Sequence, residues 1–139
     1  VKVDAVAKII VDKTLLIDEV LEKVGLLDKK DVRAGSLAHG QKQWLEIGMQ
    51  LVQKPEIIML DEPAAGMNPQ ESDELMHLIK KIRDEFDLSV LMIEHHMQVV
   101  MGICERIYVL DYGRLIAEGT PSEIQNNPKV IEAYLGVDE

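Results

Sequence analysis

The sequence predicts an α/β fold in which a mostly parallel sheet is covered by helices. Two observations carry that prediction. Short, uninterrupted apolar runs bounded by turn residues, at Ile57 to Leu60 and Ser89 to Ile93, are the mark of strands covered on both faces. Around them lie longer segments whose apolar residues recur at helical spacing, and strands alternating with helices of that length assemble as parallel sheets. With 139 residues, 47% of them apolar, the chain has one domain's worth of material. That is enough to bury about two-thirds of its unfolded surface.

In chain order, residues 3 to about 24 read as a helix, with Ile17, Val20, Leu21 and Val24 on one stripe and Asp18, Glu19 and Glu22 turned outward; Gly25 stops it. A polar loop, Leu27 to Ser36, follows. From Gly40 the spacing of Trp44, Leu45, Gly48, Leu51 and Val52 marks an amphipathic helix to about Gln53, ended by Pro55. After the first strand, small residues from Pro63 to Pro69 form a loop, and Leu75, Ile79, Ile82 and Phe86 set the stripe of a helix from about Gln70 to Phe86. The second strand is Ser89 to Ile93. A short helix, Met97 to Ile103, leads to a third strand, Arg106 to Leu110. Tyr112-Gly113 turns the chain into a fourth, Arg114 to Glu118. Gly119-Thr120-Pro121 opens a tail of small helices ending near Leu135, with Tyr134 and Leu135 expected to pin the tail. Trp44 and Met49, Met59, Met92 and Met101 fall at core positions and are read as packing.

Charge and cysteine usage narrow the functional classes. The formal net charge is −10, which disfavours a nonspecific grip on nucleic acid, where Lys and Arg neutralise phosphates. The acid surplus is spread along helical faces. One cysteine, Cys104, excludes an internal disulfide and fits a reducing compartment. No charge-free apolar run approaches the roughly 18 residues that span a bilayer, and no signal-peptide pattern opens the chain. These features read as soluble and cytosolic. A first residue of Val1 in place of methionine reads as a fragment or a processed chain.

Three separated segments carry chemistry. "LAHGQ", residues 37–41, sits at a helix N-terminus, where backbone N–H groups and the positive dipole end suit a phosphate. The first strand ends in Asp61-Glu62. An acid just past a parallel strand is placed to hold Mg²⁺ through water, and its neighbour to polarise an attacking water. The second strand runs into "IEHH", bringing His95 to the same sheet edge, since ligands gather outside the carboxyl ends of parallel strands. His96 is expected to point away from His95 and to be surface, which argues against a His-His metal site. His77 lies on the polar side of its helix and needs no role.

Together these segments resemble the second half of an ATP-binding-cassette (ABC) ATPase, a partial P-loop NTPase fold. Leu37-Ala38-His39-Gly40-Gln41 is similar to the family's signature motif, Ile57 to Asp61 to its Walker B strand, Ala65-Gly66-Met67-Asn68 to its D-loop and His95 to its switch histidine. "LDEPAAGMNPQE", "IEHHM" and "VMGICERIYVLDYGRLIAEGTP" resemble importer ATPases for branched-chain amino acids, whereas "HGQKQWLEIGM" is closer to urea importers. The resemblance implies ATP and Mg²⁺ as cofactors, Asp61 as the acid ordering Mg²⁺ through water, and Glu62 and His95 as catalytic. It implies nucleotide contacts from Leu37, Ala38, His39, Gly40, Gln41 and Asn68. Its implied partners are a second ATPase subunit and transmembrane permease subunits, with no nucleic acid, at the cytoplasmic face of the membrane.

By the same resemblance, residues 1–54 form a helical segment ending in the signature motif and its helix. Residues 55–119 form the α/β core with the Walker B, D-loop and switch-histidine strands, and 120–139 a helical tail. The sequence departs from the family in Ala38, where serine is usual, in Asn68, where aspartate is usual, and in His96, where an aspartate commonly follows the switch histidine. It contains no G-x-x-x-x-G-K-[ST] phosphate loop. The strand bearing that loop is expected between the strands at 89–93 and 106–110, so two sheet edges should stand open. The chain is therefore expected to be part of a longer ATPase and, alone, not to turn over ATP. Two other readings compete: the C-terminal lobe of an SMC or Rad50-like ATPase, which a sustained heptad coil should enter and residues 1–24 do not supply, and a non-enzymatic interaction module.

Overall fold

The computed structural model describes residues 16–135. The expected helix from residue 3 is seen as α1 over residues 16–23, and its residues 3–15 lie outside the described ones. Two short 3-10 turns, Leu27–Lys29 and Ala34–Ser36, occupy the polar loop. Then come α2 (His39–Leu51), β1 (Ile57–Asp61), α3 (Pro69–Phe86), β2 (Ser89–Ile93), α4 (Met97–Ile103), β3 (Ile107–Asp111), β4 (Arg114–Gly119), α5 (Pro121–Gln125) and α6 (Pro128–Leu135). The described residues divide after Ile93 into two compact units.

In the first unit β1 and β2 pair in parallel, with Ile57 opposite Ser89 and Asp61 opposite Ile93. The core gathers Val20 and Val24 of α1, Ile47 and Leu51 of α2, Ile58 and Leu60 of β1, and Leu75, Ile79 and Ile82 of α3. Helices α1 and α2 lie close at Gly48, where a Cβ would stand in ordinary contact with the Val20 and Val24 side chains at 3.5 Å. Helix α3 starts where the sequence supplies a full capping box: the Asn68 side chain accepts from the Glu71 amide (3.0 Å), and Glu71 accepts from the Asn68 amide (2.9 Å). Pro69 at the first helical position has no N–H to waste.

The expectation that these strands are covered on both faces holds on one side only. Ile58 and Leu60 are buried, but Ile57, Met59, Leu91 and Ile93 are all more than half exposed. An apolar run reports that a strand wants two partners, and among the described residues helices cover one face. Met49 is likewise exposed, contrary to the packing role expected of it; Trp44 is half-buried with its indole N–H buried and unpartnered among the described residues. Among the described residues β2 pairs with β1 alone.

In the second unit β3 and β4 form an antiparallel hairpin. Tyr112 (φ 43°) and Gly113 (φ 76°) both take left-handed backbone, the signature of a two-residue type I′ turn, whose twist matches that of the strands it joins. Ile107, Val109 and Ala117 face inward against Ile124 of α5 and Val130 of α6. The Tyr134 hydroxyl donates to the Leu110 carbonyl (2.8 Å) and fastens α6 to the hairpin.

Candidate functional site

Asp61 closes β1, and the backbone turns sharply at once. Glu62 sits at φ 45°, left-handed backbone that costs a non-glycine residue about 1–3 kcal/mol and persists only where surroundings over-determine it. Its amide donates to the Ile93 carbonyl (2.8 Å), extending the parallel ladder one step beyond Asp61, while its carbonyl accepts from the Ala65 amide (3.0 Å) to start the next turn. Pro63 and Ala64 are buried beneath this turn, and both carboxylates are exposed. Solvation thus removes the penalty an unpaired interior carboxylate would carry. Two exposed acids stand at the strand end, the second on a left-handed turn. Exposed hard oxygens suit a hydrated divalent ion such as Mg²⁺, which keeps most of its waters.

Leu37–Gln41 lies in the same unit. Leu37 is buried and anchors the segment; Ala38 is the residue before α2. Ala38 has no side-chain oxygen, so the only side-chain cap is Gln41, whose Oε1 accepts from the Ala38 amide at 3.2 Å. The amides of the first turn are left without a side-chain acceptor at the cap, unlike those of α3 and α5. The His39 ring reaches the loop after Glu62: its Nε2 donates to the Ala65 carbonyl at 2.9 Å. A Cβ on Gly66, at φ 73°, would stand 3.5 Å from the same ring, and a Cβ on Gly40 would meet the Met67 side chain at 3.9 Å. The structure thus brings residues 37–41 together with 65–67, a contact with no signal in the sequence. Asn68, placed by resemblance among the nucleotide contacts, has its side chain committed to the α3 cap.

Glu94 and His95 follow directly on β2. The Glu94 side chain is withdrawn from solvent, and its Oε2 accepts from the amides of His95 (2.8 Å) and His96 (3.0 Å) and from His96 Nδ1 (3.2 Å). The His95 and His96 rings stack, centroids 4.6 Å apart, and ligand atoms of Glu94, His95 and His96 lie within 4.8 Å of one another. The expectation that His96 points away from His95 is therefore wrong. Alternation of side chains is a property of extended strand, and β2 ends at Ile93. Past that point Glu94 folds the backbone around its own carboxylate.

Comparisons with known proteins give the chain's relatives. Residues 4–65 match the family model described as ABC transporter, and residues 114–139 the one described as Branched-chain amino acid ATP-binding cassette transporter. The high-affinity branched-chain amino acid transport ATP-binding protein LivG of Salmonella typhimurium is 53% identical over 116 residues, covering 84% of this chain and 46% of the relative.

Over most of its length the chain is similar to ABC-transporter ATP-binding proteins.

The BraF protein of Pseudomonas aeruginosa, of the same description, is 50% identical over 116 residues with the same coverage. Among solved structures, an ATP-binding cassette of an ABC transporter in its ADP conformation superposes with a TM-score of 0.82 at 30% identity, covering 91% of this chain and 51% of that one. A nucleotide-free cassette gives 0.81 at 32% identity, with the same coverage. The chain spans about half the length of the relatives it matches, and its fold is part of a P-loop NTPase cassette. None of its described helices is long and apolar enough to cross a membrane.

Proposed function

We propose that this chain supplies the signature, metal-ordering, base and switch-histidine elements of the ATP-hydrolysing subunit of an importer for branched-chain amino acids or a similar small solute. The observation that carries the reading is the paired strand end. Asp61 lies opposite Ile93 in a parallel ladder, Glu62 extends that ladder by a bond to Ile93, and the chain continues from Ile93 into Glu94-His95. The names of the LivG and BraF relatives support the solute class.

In this reading Asp61 holds Mg²⁺ through water, and the ion when bound neutralises charge on the phosphate oxygens. The Glu62 carboxylate, fixed by its left-handed turn, accepts the proton of, or orients, the attacking water. His95 donates to the γ-phosphate oxygens as charge builds there. Ala38, Gly40 and Gln41 face nucleotide held by a second ATPase subunit, with Leu37 and His39 shaping the segment and Asn68 in the D-loop between subunits. The uncapped first turn of α2 supports that role, since its amides are free to meet an anion. Permease subunits take up the conformational change at the cytoplasmic face of the membrane. The organisation is a helical segment 1–54, an α/β core 55–119 and a tail 120–139.

Without a phosphate loop among its 139 residues the chain alone does not turn over ATP. Calorimetry with ATP and Mg²⁺, with and without the domain half bearing that loop, tests the assignment. Tight binding only in the assembled sample supports it, and equal behaviour in both supports an interaction module in its place.

A further inference from the structure

We infer that His39 is a positioning residue that ties the signature segment to the loop following the catalytic carboxylate; the inference rests on the ATPase reading above. The acceptor decides the chemistry of the contact. A carbonyl oxygen has no proton to give, so the neutral His39 ring must carry its hydrogen on Nε2 to bond Ala65 at 2.9 Å. Ala65 in turn is bound through its own amide to the Glu62 carbonyl at 3.0 Å. One residue therefore stands between the His39 ring and the backbone of Glu62.

Two further features make this a built contact. Gly66 takes φ 73°, a conformation that suits glycine, and any Cβ there would stand 3.5 Å from His39 Nε2. A Cβ added to the buried Gly40 would stand 3.9 Å from the Met67 side chain, so the same two segments also lie close at an apolar point. The geometry couples two events that the proposed mechanism needs together. A nucleotide held by the second subunit and engaging the first turn of α2 bears on the loop that sets the Glu62 backbone, so the signature segment is coupled to this chain's own water-activating carboxylate.

The test compares His39→Phe, which keeps a ring without a donor, with His39→Gln, whose amide nitrogen stands in for Nε2. In the 139-residue chain, long-range ¹H–¹⁵N spectra should show the Nε2–H tautomer of His39. The Ala65 carbonyl ¹³C shift should move in the Phe variant and return in the Gln variant. An Nδ1–H tautomer, or an Ala65 shift that ignores both substitutions, overturns the proposal. In the ATPase assembled from this chain and the half bearing the phosphate loop, loss of one positioning hydrogen bond should lower kcat about five-fold in His39→Phe with KM for ATP little changed, and His39→Gln should restore it. An active wild type in which both variants behave alike overturns the positioning role. A wild-type assembly without turnover overturns the ATPase reading and the proposal with it.

Discussion

Neighbouring residues on β1 should respond to truncation in opposite ways. Ile58 is 0% exposed and Met59 is 65% exposed, although both belong to the same apolar run. Ile58→Ala removes three carbons from a side chain wholly withdrawn from water. At about 0.8 kcal/mol each the transfer loss is roughly 2.5 kcal/mol, and the cavity left behind raises it to about 3–4 kcal/mol. Met59→Ala also removes three heavy atoms, but they are mostly hydrated in the folded chain, and the loss should stay under about 1 kcal/mol. Against a total stability on the order of 5–15 kcal/mol the difference is readily measured. Urea denaturation of the isolated chain is the assay, with the slope of each transition compared to confirm that only the midpoint moves. A Met59→Ala loss equal to that of Ile58→Ala would refute the reasoning, because it would mean that the outer face of β1 is covered. If the proposed assembly with a half bearing the phosphate loop covers this face, it should change the answer at Met59 alone.

Two further outcomes follow from backbone and capping geometry. Asp87 ends α3 at φ 48° and carries a negative charge at the negative end of the helix dipole; Asp87→Gly should stabilise the chain by about 1 kcal/mol by removing both penalties, and denaturation showing no gain would contradict the strain argument. Hydrogen bonds from the Thr120 amide and hydroxyl hold the Glu123 carboxyl below its usual range. A carboxyl lowered on folding contributes stability above its unfolded value of about 4.3 and loses it as pH falls through the folded value. The N-terminus of α5 should therefore fray only in more acid solution, and a Glu123 ¹³C titration with a midpoint at or above 4.3 would oppose this.

Much of the fold is legible in the sequence because single residues fix it. The capping box of Asn68 and Glu71 with Pro69 starts α3, the Tyr112-Gly113 pair forces a hairpin, and the bounds of β2 and α4 follow from where apolar runs stop. What cannot be read locally is which strand faces find a partner. Ile57 and Met59 satisfy the pattern of a buried strand and still lie open, since burial depends on what the rest of the domain brings. The site divides the same way. Asp61 and Glu62 are visible as acids at the mouth of a strand, and the structure confirms the strand. The His39 bond to Ala65 joins residues 26 apart through a backbone carbonyl, an atom every residue has. The stacking of His95 on His96 was hidden because strand alternation ends one residue before Glu94.

The most direct test of the account is ATP hydrolysis by the assembled ATPase carrying Glu62→Gln. Losing the carboxylate that activates water while keeping its size and backbone should abolish turnover and leave Mg²⁺-ATP binding in place, whereas Asp61→Asn should weaken the Mg²⁺ dependence of that binding. Hydrolysis by Glu62→Gln at close to the wild-type rate would contradict the claim that the end of β1 carries the catalytic base.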